Sequence, residues 1–340
     1  MKKIVYWALP LVLIAVIAAE GFAQAAAQEP KWKDTKEYDA YVAVYNEKDN
    51  AKKAALAETF FAEHKDADPI ALQNMYQMMY LSYANAANWA KVIETYEKMG
   101  TMAPKLADPD KARFLQIALL AASNLKNNPK TIEYANKILA TSPNDLNALI
   151  TLSNVLAGTL PTQEPNKGKQ LAETLEITKR ALAQPKPANL QDAQWNPIKQ
   201  QLHETASLML LNQLKYADSI AEAQNALKVN SKDGYAWYLI GMSYKGELKP
   251  LIEKYNAALA NYNANRDKDP ITVDDLKAVF QGAEKIASDK KDQAVDAFAR
   301  SVALGGNAAA QAQTELKNLF MGTPEELNKL IEEKKATTGN

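Results

Sequence analysis

The sequence predicts an all-α fold, and three observations carry that expectation. Gly and Pro number only 12 and 15 in 340 residues, while Ala, Leu, Lys and Glu are abundant; such side chains lose little freedom on entering a helix. Apolar and small residues recur at steps of three and four through most of the chain, the spacing that lines one face of a helix. The pattern itself also returns, at about 34 residues, as from Leu115 to Leu149 and from His203 to Trp237.

Composition narrows the function classes. With 47% apolar and 24% charged residues, the chain can bury a core. Lys and Arg total 40 and so do Asp and Glu, which removes the usual electrostatic case for a nucleic-acid binder. The absence of Cys excludes disulfides, thiolate metal sites, cysteine nucleophiles and a lipid-anchor cysteine. Two histidines, His64 and His203, have no second His or Cys at ligand spacing, so no metal and no cofactor is expected.

The chain opens with Lys2 and Lys3, runs apolar from Ile4 to Ala19, then meets Glu20 and the small-residue stretch GFAQAAAQ. That order reads as an export signal over residues 1–25, with Ala23, Ala25 and Ala27 as alternative cleavage positions. The apolar run is shorter than the roughly 20 residues that span a bilayer core. Residues 26–37 read as a linker. No later segment approaches membrane-spanning length, so the mature chain is expected to carry no transmembrane segment.

From residue 38 onward the helices read in order. A first, degenerate unit covers 38–71, with Tyr41, Tyr45, Ala57 and Phe61 in the pattern; further units cover 73–106 and 112–145. A fourth begins at Leu146, a fifth covers 200–233 and a sixth begins at Gly234. Four short segments share one face: Val92, Tyr96 and Met99 match Thr131, Ala135 and Ile138, then Ser219, Ala223 and Ala226, then Ala294, Phe298 and Ser301. The helices before them present Tyr76, Met79, Tyr80 and Tyr83 in one unit and Trp237, Ile240, Gly241 and Tyr244 in another. A small residue there lets two helices approach. Pro143 cannot donate a backbone hydrogen bond and ends a helix.

The sixth unit carries an insertion at about 245–290. Leu251, Ile252, Tyr255, Leu259 and Tyr262 make one stripe; after RDKDP, Thr272 and Asp275 suggest a capping box, and Leu276, Val279, Phe280, Ala283 and Ile286 make a second. Two stripes predict a helical hairpin, built by extending the first helix of the unit; it serves either as packing or as a partner-binding arm. Residues 307–340 predict capping helices, the last one starting with Thr323 as cap, Pro324 at the first helical position and Glu326 three residues on. Leu327, Leu330 and Ile331 form its apolar stripe.

This period, the two-helix unit and the order of large, small and aromatic positions resemble the tetratricopeptide repeat (TPR) family. The resemblance covers most of 38–306; it departs from the family where His203 replaces a large apolar residue and where several small positions carry Thr, Ser or Leu. It implies a right-handed superhelical solenoid of stacked helix pairs, and a concave face lined by first helices. Carried over position by position, that lining is Asn74, Gln77, Leu81 and Asn85, then Arg113, Gln116, Leu120 and Asn124, then Asn147, Ile150 and Asn154. It continues with Gln201, Glu204, Leu208 and Asn212, and ends with Tyr235, Tyr238 and Met242. Amides can both donate to and accept from a peptide backbone. The lysine-based clamp by which some relatives hold a C-terminal carboxylate is missing.

No Gly-rich phosphate loop, GxSxG elbow or HExxH helix is present. The expectation is therefore a non-enzymatic, exported scaffold that binds a protein or peptide partner in the cell envelope, in a role such as assembly of an envelope complex. The cluster Tyr235, Trp237 and Tyr238 offers the alternative, capture of a small molecule or sugar on aromatic faces.

Overall fold

The computed structural model describes residues 29–103, 106–267 and 269–338. The expected export signal at 1–25 and the start of the linker lie outside them. Of the chain, 80% is helix, with no strand among the described residues, so the class is all-α.

The described chain divides into two compact units, one ending at Val155 and the other starting at Leu156. The N-terminal unit holds α1 (Thr35–Asn46), α2 (Asn50–Glu63), α3 (Pro69–Asn85), α4 (Trp89–Glu97), the single turn α5 (Met99–Met102), α6 (Asp108–Asn124), α7 (Asn128–Thr141) and most of α8 (Leu146–Gly158). The C-terminal unit holds α9 (Asn166–Leu182), α10 (Asp192–Asn212), α11 (Tyr216–Val229), α12 (Gly234–Asn265), α13 (Pro270–Leu304), α14 (Ala309–Leu319) and α15 (Pro324–Thr338).

Local chemistry sets these boundaries. The side chains of Asp34, Asp49, Asp68, Asn88, Asn127, Asp233 and Asp269 each accept a backbone N–H in the first turn that follows, satisfying donors no helix can satisfy internally. Three turns share one geometry. Ala87, Lys126 and Leu214 lie in the left-handed region, at φ 53°, 53° and 60°. After each, the next N–H reaches back to a carbonyl of the last helical turn: Asn88 to Tyr83 at 2.9 Å, Asn127 to Ala122 at 2.9 Å and Lys215 to Leu210 at 3.0 Å. This is the Schellman closure, which lets the chain leave one helix and enter another within a few residues.

The N-terminal core is aromatic. The rings of Tyr80 and Phe114 lie 4.6 Å apart and those of Tyr76 and Tyr80 5.9 Å, all three side chains fully buried. Burial is tolerated because each hydroxyl has a partner: Tyr76 donates to the Thr95 carbonyl at 2.9 Å and Tyr80 to the Phe114 carbonyl at 2.8 Å. Burial also pushes both phenols well above their ordinary pKa. Trp32, in the expected linker, packs on this core with its ring 4.8 Å from Tyr41, and the first helix begins at Thr35.

The C-terminal core is held by close backbone approach. Ser207 and Ser219 exchange hydrogen bonds with each other's carbonyls at 2.8 and 2.9 Å, and Ser243 donates to the Ser219 hydroxyl at 2.9 Å, drawing α10, α11 and α12 together. Gly241 meets the buried Phe298 ring so closely that a Cβ would sit 2.7 Å from it. The small-against-large contact expected at this position is present. Leu316, Leu327 and Ile331, from α14 and α15, join the Phe298 cluster. Thr323 and Glu326 form the expected capping box, with bonds of 2.8 and 3.2 Å.

The hairpin differs in construction from expectation. Both of its helices are extensions, since α13 runs unbroken from Pro270 to Leu304 and contains the segment that carries Ala294, Phe298 and Ser301. Its cap is Asp269, which accepts from Thr272 N at 3.0 Å, so Thr272 lies inside the first turn instead of capping it. From Lys249 to Ile286 no described residue is buried.

Candidate functional site

The residues expected to line a binding face sit on α3, α6 and α8 in the N-terminal unit and on α10 and α12 in the C-terminal unit. Steps of three and four keep each set on one side of its helix. Their neighbours decide what each can do.

In the N-terminal unit the half-buried amides are tied to adjacent helices. Asn74 donates to the Tyr41 hydroxyl at 3.3 Å, Gln77 to Asp110 at 3.2 Å and Gln116 to Asp145 at 2.7 Å. Each bond joins the first helix of one expected unit to the first helix, or its cap, in a neighbouring unit. One N–H of each amide is engaged, which orients the side chain. Asn124 turns back on its own helix, donating to the Leu120 carbonyl at 2.9 Å. Asn85 and Asn147 are exposed. Asn154 and Arg113 are half-buried on α8 and α6, Leu81 is half-buried against the aromatic core, and Leu120 and Ile150 are buried.

In the C-terminal unit the same positions behave similarly. Asn212 donates to the Leu208 carbonyl at 2.9 Å, as Asn124 does to Leu120. Gln201 is half-buried, Leu208 and Tyr238 are buried, and Met242 is half-buried. Tyr235 stacks on Tyr238 with ring centres 6.2 Å apart.

Glu204 stands where Gln77 and Gln116 stand in the other unit. Burial and the facing negative charge of Asp233 push its pKa up to about 9, although Gln200 donates to it at 2.8 Å. The carboxyl therefore holds its proton at neutral pH. His203 is hydrogen-bonded to Glu222 at 2.8 Å, and that bond holds the Glu222 carboxyl below its ordinary range.

The aromatic cluster expected from Tyr235, Trp237 and Tyr238 divides. A step of three keeps the two tyrosines together, while a step of two carries Trp237 to the other side of α12. There it lies under the Arg300 guanidinium at 4.9 Å and helps to line a groove of about 470 Å³ between α11, α12 and α13. The buried Ile240 and Ala297 line it with Tyr244, and Gln224, Asp289, Asp292, Gln293 and Asp296 supply polar groups. The signal in the sequence is the seven-residue step from Trp237 to Tyr244 opposite a carboxylate-rich turn on the following helix.

No protein-family model matches the chain, and no curated protein is similar to it in sequence. Among the described residues, no helix is long and apolar enough to cross a membrane.

Proposed function

We propose that the chain is an exported, TPR-like scaffold without enzymatic activity or cofactor, which binds a protein or peptide partner in the cell envelope and contributes to assembly of an envelope complex. The observation that carries this reading is the set of amides on α3 and α6. Asn74, Gln77 and Gln116 are held by hydrogen bonds between helices, and Asn85 and Asn147, of the same expected lining, are exposed. Fixed polar groups cost little ordering when a partner arrives. Paired helices that repeat the Schellman closure at Ala87, Lys126 and Leu214 support the repeat assignment.

The test is crosslinking in intact cells followed by co-purification from an envelope fraction. A defined protein partner should be recovered, and its yield should fall when Asn85 and Asn147 are both changed to Asp, since exposed positions tolerate that change without loss of fold. No partner, or one indifferent to both substitutions, contradicts the reading.

The groove beside Trp237 favours a second reading, capture of a small molecule or sugar against the Trp237 and Tyr244 rings with Asp289 and Asp292 accepting hydrogen bonds. A ligand screen by thermal shift, repeated with Trp237→Phe, tests it. Hits that the substitution abolishes support it, and an absence of hits sets it aside.

A further inference from the structure

We propose that the groove bounded by α9, α10 and α11 binds inorganic phosphate, held between Lys199 and Lys228 and by the second ring nitrogen of His203. The site lies outside the helix faces assigned to a protein partner and does not depend on that reading.

His203 stands where the repeat expects a large apolar residue, and its side chain is only 12% exposed. It borders a groove of about 440 Å³, in which Lys199, Asn225 and Lys228 are the other polar groups and Leu182 and Val229 the apolar ones. Lys199 lies one turn before His203 on α10, and Lys228 one turn after Asn225 on α11. Both lysines are exposed, and among the described residues no carboxylate lines the groove. Such a lining complements an oxyanion.

Glu222, which does not line the groove, orders these groups. Its carboxyl bonds His203 Nδ1 at 2.8 Å and also receives the Asn225 amide, while the Asn225 oxygen accepts from Lys228 Nζ at 3.0 Å. One carboxylate thus orients the ring, the amide and, through the amide, one lysine before any ligand arrives, which lowers the ordering cost of binding. Lys179 adds a further positive charge near Glu222, so the cluster keeps a net positive charge.

The ring tautomer selects the anion. The bond from His203 holds Glu222 ionised, and a carboxylate can only accept. Nδ1 therefore carries the proton, and Nε2 of the neutral ring is an acceptor. An anion seated on the two lysines must bring a donor to Nε2. Sulfate has none, and neither has a doubly charged phosphate monoester. Doubly charged inorganic phosphate keeps one O–H, which can donate to Nε2 while its other oxygens meet Lys199 and Lys228.

The full chain has two histidines, so the ring C–H resonances of His203 report on the groove and those of His64, in the N-terminal unit, serve as control. At pH 8 and constant ionic strength, inorganic phosphate should shift the His203 signals and saturate with a dissociation constant on the order of a millimolar, leaving His64 in place. It should bind about fivefold or more tighter than sulfate or glycerol phosphate, which lack the proton. Lys199→Gln and Lys228→Gln should each weaken phosphate by about fivefold, and Lys317→Gln, exposed on α14, should not. A His203 signal that phosphate leaves unmoved, sulfate or glycerol phosphate bound as tightly, or an affinity indifferent to both groove lysines overturns the proposal.

Discussion

The Glu204 carboxyl faces the Asp233 carboxylate across the same sequence separation, 29 residues, that sets Gln116 hydrogen-bonded to Asp145 at 2.7 Å. Asp145 and Asp233 are alike in a second respect, since each caps a helix. Asp145 accepts from Ala148 N at 2.9 Å, and Asp233 from Tyr235 N and Ala236 N at 2.9 and 3.0 Å. The other oxygen of Asp233, Oδ2, is buried and receives no N–H, and the Asp233 side chain interacts with the Glu204 carboxyl. A protonated Glu204 therefore does for Asp233 what the Gln116 amide does for Asp145.

That equivalence predicts the effect of Glu204→Gln. The folded pKa of Glu204, about 9, lies above the ordinary value near 4.5, so its proton is retained on folding and lost on unfolding between those values. Its contribution to stability is complete below about pH 4.5 and is lost as pH rises towards 9. Glutamine needs no proton to make the same bond. Urea denaturation should find the variant similar to the parent at pH 5 and more stable by about 1–3 kcal/mol at pH 8. A difference independent of pH would show that Glu204 does not carry the proton.

The Gln116–Asp145 bond allows a direct measurement of one link between neighbouring helices. Removing either side chain also disturbs something else, because Asp145 caps α8. A double-mutant cycle with Gln116→Ala and Asp145→Ala separates the pair from those effects. The coupling should be about 1.5–3 kcal/mol, as for a hydrogen bond to a charged acceptor. A coupling near zero would mean that the amide points elsewhere in solution.

Three non-glycine residues in the left-handed region carry avoidable strain. Leu214 is the sharpest case, since it is also 69% exposed and loses no packing when truncated. Leu214→Gly and Lys126→Gly should each raise stability by about 0.5–1 kcal/mol, read as a shift in the denaturation midpoint at constant slope. Gly305→Ala and Gly306→Ala, at φ 75° and 85°, should do the opposite. Equal effects at all four sites would contradict the turn geometry.

Two glycines on α12 distinguish a rigid contact from a soft one. A Cβ at Gly241 would meet Phe298, which is fully buried, at 2.7 Å. A Cβ at Gly246 would meet Tyr216, which is half-exposed, at 2.2 Å. Gly241→Ala should cost about 1–3 kcal/mol because overpacking cannot be relieved there. Gly246→Ala should cost less despite the shorter distance, because Tyr216 can turn towards solvent. Thermal unfolding of the two variants checks the order.

These residues also show how far the sequence could be read. Helix type and position follow from periodicity and caps; the turn after Thr141, the Thr323 cap and the close helix approach at Gly241 were all legible. The direction of the amides was not. Asn74 and Gln77 share a helix face with Asn85, and Gln116 holds the equivalent place on α6, but whether a side chain on such a face meets solvent or the adjacent helix depends on how neighbouring helices cross, which periodicity does not record. Glu204 read as a polar lining residue, because its proton depends on an Asp that only folding brings to it.

The central claim is that the helix faces carrying Asn85 and Asn147 receive a protein partner in the cell envelope. Photo-crosslinking from an amino acid placed at each of these positions, with Asn328 on the exposed side of α15 as control, tests it most directly. The account predicts one defined adduct from Asn85 and Asn147 and none from Asn328. Adducts of equal yield from all three, or none from the first two, would contradict it.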